Sequence, residues 1–272
     1  EAKKGLFRDN FVEKAVTNID DPVGLEIANE FRGDLLTTSI DQIADVVAEN
    51  YKLSESGSSF TLKTPFGSCE IRTRLLGRHN IYNLISAASA ALINGIALND
   101  IEKGLLYIDQ IPGRFEKVPC DKGFSVVVDY AHTDDALRSV LRAAQAFTPG
   151  RIITVFGCGG DRDKGKRKAM GRVAIEESGF SIITSDNPRT ENPQYILDDI
   201  LEGVPSSMNH GEDYKVIIDR KEAIRFAIKQ ARLGDLVMIT GKGHENYQII
   251  GDETVPFDDM EILNETLKVL DK

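Results

Sequence analysis

The run Arg151-Ile-Ile-Thr-Val-Phe156 passes directly into Gly157-Cys-Gly-Gly-Asp-Arg-Asp-Lys-Gly-Lys-Arg167 and then into a helical stretch over 168–178. An apolar, β-branched run closed by a glycine-rich loop and followed by a helix is one strand–loop–helix unit. The unit recurs on both sides. Phe124-Ser-Val-Val-Val-Asp129 precedes a helix over 134–147, and the strand 180–184 precedes one over 195–203. Strand 214–218, helix 221–231 and strand 235–240 continue the alternation. Such an alternation predicts an α/β fold, a mostly parallel sheet with helices on both faces. Ligands of these sheets gather at the carboxyl ends of the strands. Four such ends carry unusual residues: Asp129-Tyr-Ala-His132, Gly157-Cys-Gly-Gly-Asp-Arg162, Asp186-Asn-Pro-Arg189 and Gly241-Lys-Gly-His-Glu245. One polar loop would be a solvated turn, whereas four at the same rim predict a site.

Upstream the pattern is less regular. Residues 24–31 read as a helix and Asp34-Leu-Leu-Thr-Thr38 as a strand. Strands at 58–63 and 68–73 meet at Pro65-Phe-Gly67, a hairpin signal, and helices follow at 80–94 and 99–107. Pro112-Gly113 interrupts this order and the character changes after it, which puts a domain boundary near 112–118. A chain of 272 residues is long enough for two ordinary domains. The net charge of −10 argues against a nucleic-acid binder and against docking on an anionic membrane. No apolar run approaches the roughly 20 residues of a membrane span, and no secretory signal is recognisable. Cys69, Cys120 and Cys158 are far apart and odd in number, which fits reduced cytoplasmic thiols better than a disulfide framework or a metal site.

Each loop has a chemical reading and a plainer one. Gly160-Asp-Arg-Asp-Lys-Gly165-Lys-Arg167 satisfies the GxxxxGK body of a Walker A loop, but Arg167 stands where a Mg2+-binding hydroxyl belongs, which disfavours a true P-loop. Arg162, Lys164, Lys166, Arg167 and Lys168 outweigh Asp161 and Asp163 at a helix start. An anion pocket is expected there in preference to a solvated basic face. Asp129 can accept hydrogen bonds from a ribose and His132 can contact a phosphate; the alternative is a helix cap from Thr133 or Asp134, and the residue types favour neither. The glycines of Gly241-Lys-Gly-His-Glu245 permit close backbone approach, and Glu245 offers a carboxylate to an ammonium. Asn80 reads first as a helix cap and second as a nucleotide contact. Arg114 either closes over a phosphate or pairs with Glu116.

Taken together, the motifs resemble those of the Mur ligases, and within them the UDP-N-acetylmuramoyl-tripeptide synthetase (MurE) type. They are Glu1-Ala-Lys-Lys-Gly-Leu-Phe7, Gly77-Arg-His-Asn-Ile-Tyr-Asn83, Ile111-Pro-Gly-Arg-Phe-Glu116, Asp129-Tyr-Ala-His-Thr133, the loop 157–167, Asp186-Asn-Pro-Arg189 and Gly241-Lys-Gly-His-Glu-Asn-Tyr-Gln248, in that order. The resemblance runs over essentially the whole chain. It implies a cytoplasmic, ATP- and Mg2+-dependent amide-bond ligase of peptidoglycan synthesis. Its substrates would be UDP-N-acetylmuramoyl-L-alanyl-D-glutamate and meso-diaminopimelate, joined through an acyl phosphate. Lys3 matches the lysine that the family carbamylates into a catalytic metal ligand. Asn80, Arg114, Asp129 and His132 fall at ATP-facing positions. Arg162, Asp186, Asn187, Pro188, Arg189, Gly241 and Glu245 fall at positions for the added amino acid, with Arg189 clamping the second carboxylate that diaminopimelate has and lysine lacks.

The family plan has a UDP-binding N-terminal domain, a central ATPase domain and a C-terminal Rossmann-like domain. Against it, the sequence reads as N-terminally truncated: 1–113 is part of the central domain without its P-loop, and 114–272 is the whole amino-acid-binding domain. The chain alone is therefore expected not to ligate. Lysine or lanthionine as the added amino acid, a stand-alone nucleotide- or amino-acid-binding module, and a non-catalytic interaction protein are the alternatives. Sister Mur ligases and folylpolyglutamate synthetase share the architecture, but the DNPR and GKGHE loops discriminate against them.

Overall fold

The structure is a computed structural model that describes residues 2–8, 11–54 and 56–270, except for the side chains of residues 2 and 3. The chain divides into two compact units, Glu1–Asp109 and Gln110–Lys272.

The first unit begins with a short helix, α1 (Ala2–Gly5), followed by β1 (Lys14–Asn18), α2 (Pro22–Glu30) and β2 (Asp34–Ser39). α2 starts earlier than the predicted 24 because Asp21 caps it, accepting from the Val23 and Gly24 amides, with Pro22 pre-set in the first turn. β3 (Val46–Ser54), β4 (Gly57–Thr64) and β5 (Gly67–Thr73) follow, then α3 (Arg78–Ile93) and α4 (Leu98–Leu106). The five strands pair in chain order, β1 to β3 parallel and β3 to β5 antiparallel. The predicted hairpin turns at Pro65 and Phe66. β3 carries a weak signal because Asn50, at φ 55°, breaks its alternation where the register shifts between Glu49 and Lys52.

The second unit is the predicted parallel sheet. Its elements are β6 (Glu116–Val118), β7 (Ser125–Asp129), α5 (Asp134–Gln145), β8 (Ile152–Phe156), α6 (Gly165–Glu177), β9 (Phe180–Ile183), α7 (Pro193–Leu201), β10 (Tyr214–Val216), α8 (Arg220–Gln230), β11 (Leu236–Thr240), β12 (Tyr247–Ile250), β13 (Glu253–Pro256) and α9 (Asp259–Val269). The spatial order is β10-β9-β8-β11-β7-β6, parallel except for the antiparallel edge strand β6; β12 and β13 form a separate antiparallel pair. The chain steps outward from β7 through β8 and β9 to β10, then returns to insert β11 between β8 and β7. With right-handed crossovers, the return puts α8 on the opposite face from α5, α6 and α7.

The core under α8 and α9 shows why these runs are strands. Val126, Val128, Ile153, Val155, Ile182, Val237 and Ile239 interlock with Ala223, Ile224, Ala227, Ile228, Ile262 and Leu263. Burying each of the larger side chains is worth about 1.5–3 kcal/mol before entropy is counted. The parallel strands are buried on both faces, so their sequences are continuous apolar runs without alternation.

Candidate functional site

All four sequence-selected loops leave the sheet at one rim, because β7, β8, β9 and β11 are mutually parallel. Their connectivity reverses at β8 and β7, which is where an open α/β sheet forms a crevice.

The loop after β9 is the most firmly held. Asp186, Asn187 and Pro188 are buried and Arg189 is half-buried. Gln248 Nε2 donates to the Asp186 carbonyl. Asn187 Oδ1 accepts from Lys242 Nζ (2.9 Å) and from the Ile249 amide (3.0 Å), while its Nδ2 donates to Glu245 Oε2 (3.1 Å). Arg189 sits at φ 52°, a strained region for a side chain of its size. Its backbone is pinned there by the end of β12: its amide donates to the Ile249 carbonyl (3.0 Å) and its carbonyl accepts from Gly251 (2.7 Å). Arg189 Nη1 donates to the Gly160 carbonyl (2.8 Å), and the guanidinium has no carboxylate partner among the described residues.

The glycine-rich loop after β8 departs from expectation. Its glycines do not open an anion pocket; they receive the DNPR loop. A Cβ on Gly157 would lie 2.3 Å from the Thr184 carbonyl oxygen, and one on Gly160 would lie 1.9 Å from that of Pro188. Helix α6 begins three residues earlier than predicted, where Asp163 Oδ1 receives the Gly165 amide (2.8 Å). Arg167 is fully buried, bonded to Glu191 (2.7 and 3.0 Å), Asp199 (2.8 Å) and the Gly159 carbonyl (3.3 Å). Its charge is taken up by these two carboxylates and holds the loop, α6 and α7 together, leaving none for a ligand anion. Glu191 is driven down to about 2 by Arg167, helped by the Asp161 amide and Lys164. Lys164 also pairs with Glu191, and Lys166 donates to the His132 carbonyl (2.8 Å). Of the island's cations, Arg162 is exposed and has no ion pair among the described residues.

At the end of β7, Asp129 is 2% exposed, and both of its oxygens are committed to backbone. They accept from the Phe115 amide (2.8 Å) and the Ala131 amide (2.7 Å). Burial raises its pKa, with those bonds and Arg114 and His132 acting in the other direction. Asp129 is thus not a free acceptor for a ribose: it clamps the Arg114 turn to the sheet. Arg114 does not pair with Glu116, which takes the Gly113 amide (2.7 Å); its guanidinium lies over the Tyr130 ring, 4.9 Å from the centroid. His132 Nδ1 meets the Tyr130 carbonyl (2.9 Å), so Nδ1 carries the proton and Nε2 faces outward as an acceptor when neutral. Of the two cap candidates it is Thr133 that caps α5, accepting from the Ala136 amide (3.3 Å).

The loop after β11 completes the rim. Gly241 and Gly243 sit at φ 109° and 54°, and a Cβ on Gly241 would meet Asp186 Oδ2 at 2.7 Å. Lys242 is fully buried and had attracted no attention in the sequence. It lies 3.4 Å from Asp186 and 3.7 Å from Glu245. Burial chiefly pushes its pKa down, Arg220 adds to this, and the carboxylates oppose it. Asp186 therefore already faces an ammonium. Glu245 is half-buried, and its Oε1 has only the Tyr130 hydroxyl, 3.5 Å away, as a hydrogen-bond partner among the described residues.

Two selected residues belong to the first unit. Asn80 lies in the first unit, fully buried, where Nδ2 donates to the Leu76 carbonyl (2.8 Å) and Oδ1 accepts from Asn83 (3.2 Å). It is not the cap of α3, which is Gly77, and its amide is committed to protein partners. Lys3 lies outside the residues whose side chains are described. Among the described residues, no group of three or more His, Cys, Asp or Glu could hold a metal ion, and no helix is long and apolar enough to cross a membrane.

Two family models match: "Mur ligase middle domain" over residues 1–91, and "Mur ligase, glutamate ligase domain" over residues 113–243. The chain is 42% identical over 261 residues to UDP-N-acetylmuramoyl-L-alanyl-D-glutamate--2,6-diaminopimelate ligase of Bacillus cereus, covering 96% of this chain and 52% of that protein. It is 45% identical over 269 residues to the Gloeobacter violaceus protein of the same name, covering 98% and 54%. A solved structure of a ligase with that name aligns with TM-score 0.60 at 38% identity, over 100% of this chain and 56% of the other. The chain thus spans about half the length of the curated relatives it matches. With both of its compact units matched by models of one family, the chain belongs to the Mur ligases.

Proposed function

We propose that this chain supplies the amino-acid-binding part of an ATP-dependent cytoplasmic ligase that adds meso-diaminopimelate to UDP-N-acetylmuramoyl-L-alanyl-D-glutamate. The observation that carries the reading is a division among the arginines of the second unit. Arg138, Arg142, Arg151, Arg167, Arg172, Arg220 and Arg225 each face a carboxylate. Arg114, Arg162 and Arg189 do not, and all three stand on loops at the rim that carries Glu245; Arg232, which also has no ion pair among the described residues, stands just before β11, at the opposite end of that strand. Unpaired guanidiniums at one rim with a half-buried carboxylate suit a ligand with several carboxylates and an ammonium. In this reading Arg189 and Arg162 take carboxylates, the remaining Asn187 N–H adds a donor, and Glu245 Oε1 holds an ammonium. Arg114 and His132 serve the phosphate side, with Asp129 positioning Arg114.

ATP activates the acceptor carboxylate in the proposed reaction, and the site's share is to present the incoming amine without water competing for it. Mg2+ has no matching donor set among the described residues. Its proposed ligand, carbamylated Lys3, lies outside them. A nucleotide P-loop at 160–167 is disfavoured by the burial of Arg167 in its two ion pairs. Calorimetric titration of this chain is the test: meso-diaminopimelate is expected to bind and L-lysine to bind at least tenfold more weakly. Equal affinities, or no heat with diaminopimelate, would overturn the assignment.

A further inference from the structure

A fully buried lysine beneath a ligand rim needs an explanation, because it costs desolvation that an apolar residue would not. Lys242 has one in its bonds. Its ammonium donates to Asn187 Oδ1 (2.9 Å) and to the Tyr247 carbonyl (2.7 Å), and faces Asp186 (3.4 Å) and Glu245 (3.7 Å). The three groups around the Asn187 amide agree on its orientation. An ammonium and a backbone N–H can only donate, so the atom facing Lys242 and Ile249 is oxygen; the atom facing Glu245 is then nitrogen. Two donors occupy the oxygen, and one of the two N–H bonds is used. What Asn187 presents to a ligand is therefore a single N–H donor, and it has no acceptor to spare.

We propose that Lys242 is the positioning residue that sets the polarity of the amino-acid site, locking Asn187 as a donor toward carboxylates and leaving Glu245 Oε1 as the acceptor for an ammonium. The inference rests on the proposed function for the identity of the ligand, but the orientation of Asn187 is a property of the free chain. Without the ammonium, nothing but Ile249 holds Oδ1, and Asp186 and Glu245 lose the cation between them. The amide is then held by Ile249 and Glu245 alone, and the flipped orientation, whose oxygen repels a ligand carboxylate, becomes less costly. Gly241 contributes by letting Asp186 lie against the turn, and Gly243, at φ 54°, lets the next residues fold back to Glu245.

The test has two arms. In the free wild-type chain, NMR of the Asn187 side-chain amide, assigned by its loss in Asn187→Ala, is expected to give two well-separated protons, one of them slow to exchange. Two protons that both exchange as fast as those of a free asparagine amide would overturn the proposal whether or not any ligand binds, and this arm needs no Lys242 variant to fold. In the second arm, Lys242→Met should weaken meso-diaminopimelate binding at least tenfold, and Lys242→Gln, which can still donate to Asn187, by less. In an Asn187→Ala background Lys242→Met should cost less than twofold more. Equal losses in both backgrounds would mean that Lys242 supports the fold and does not act through Asn187. No binding of diaminopimelate by the wild type would overturn the proposed function instead, and the amide signals would still decide this one.

Discussion

Arg167, in the first turn of α6, and Arg189, on the loop after β9, stand at the same rim of the same sheet, yet the molecule uses them in opposite ways. Arg167 is fully buried between Glu191 and Asp199, and its charge is consumed in joining α6, α7 and the glycine-rich loop. Arg189 is half-buried, bonded to a backbone carbonyl and no carboxylate, and held at φ 52° by the end of β12. The difference teaches that a guanidinium at a strand end is informative only once its carboxylates are counted. One is part of the frame, and the other is a charge kept available at the expense of backbone strain.

The contrast can be broken most severely at the frame. Arg220 and Asp259 form a fully buried pair, and Arg220→Met leaves the Asp259 carboxylate without its cation. Urea unfolding should show a loss of about 3–5 kcal/mol. At Arg189 the expected effect moves from stability to binding. Arg189→Gly should weaken diaminopimelate binding by about 1.5–3 kcal/mol, the worth of a charged hydrogen-bond set. The same variant should unfold at no lower urea concentration than wild type, since glycine accepts positive φ freely; a large loss of stability would make Arg189 a frame residue like Arg167. Between the two loops, Gly160→Ala forces a methyl onto the Pro188 carbonyl and should cost about 1–3 kcal/mol. It should weaken ligand binding as well, because the Gly160 carbonyl is the contact that orients Arg189.

The smallest effect is one of pH. Glu191, held at about 2, favours the folded state when ionised. Its contribution is complete above the ordinary glutamate value of about 4.5 and is lost as pH falls toward 2. Acid titration of stability should therefore show a steeper fall between those values in wild type than in Glu191→Gln; parallel curves would remove Arg167–Glu191 from the frame.

The sheet itself was legible because its strands are buried on both faces and punctuated by glycine loops. So was the rim, since parallel strands must present their carboxyl ends together. The β12–β13 hairpin was not. Tyr247-Gln-Ile-Ile250 is too short to announce itself, yet it fixes Arg189 and engages Asp186 and Asn187. Nor could spacing reveal that Arg167 meets Glu191 and Asp199, because that contact is made by the tertiary fold between residues 24 and 32 positions apart. Lys242 went unread for the same reason. Between two glycines it looks like a surface cation, and only the return of the chain through Glu245 and Tyr247 buries it.

The strand order has a consequence for how the site comes into being. β11 lies between β8 and β7 in space but follows β10 in the chain. Until it inserts, β8 and β7 have no partner in each other, and the loops that carry Asp129, Gly160 and Arg189 have no common edge to stand on. The pairing spans some of the longest sequence separations in the unit, so it belongs to the slow, entropically costly part of folding. Arg189 then waits longer still, for Gly251 to arrive. During synthesis, a nascent chain that ends before residue 251 can hold most of its hydrophobic core and still have no place to bind an amino acid.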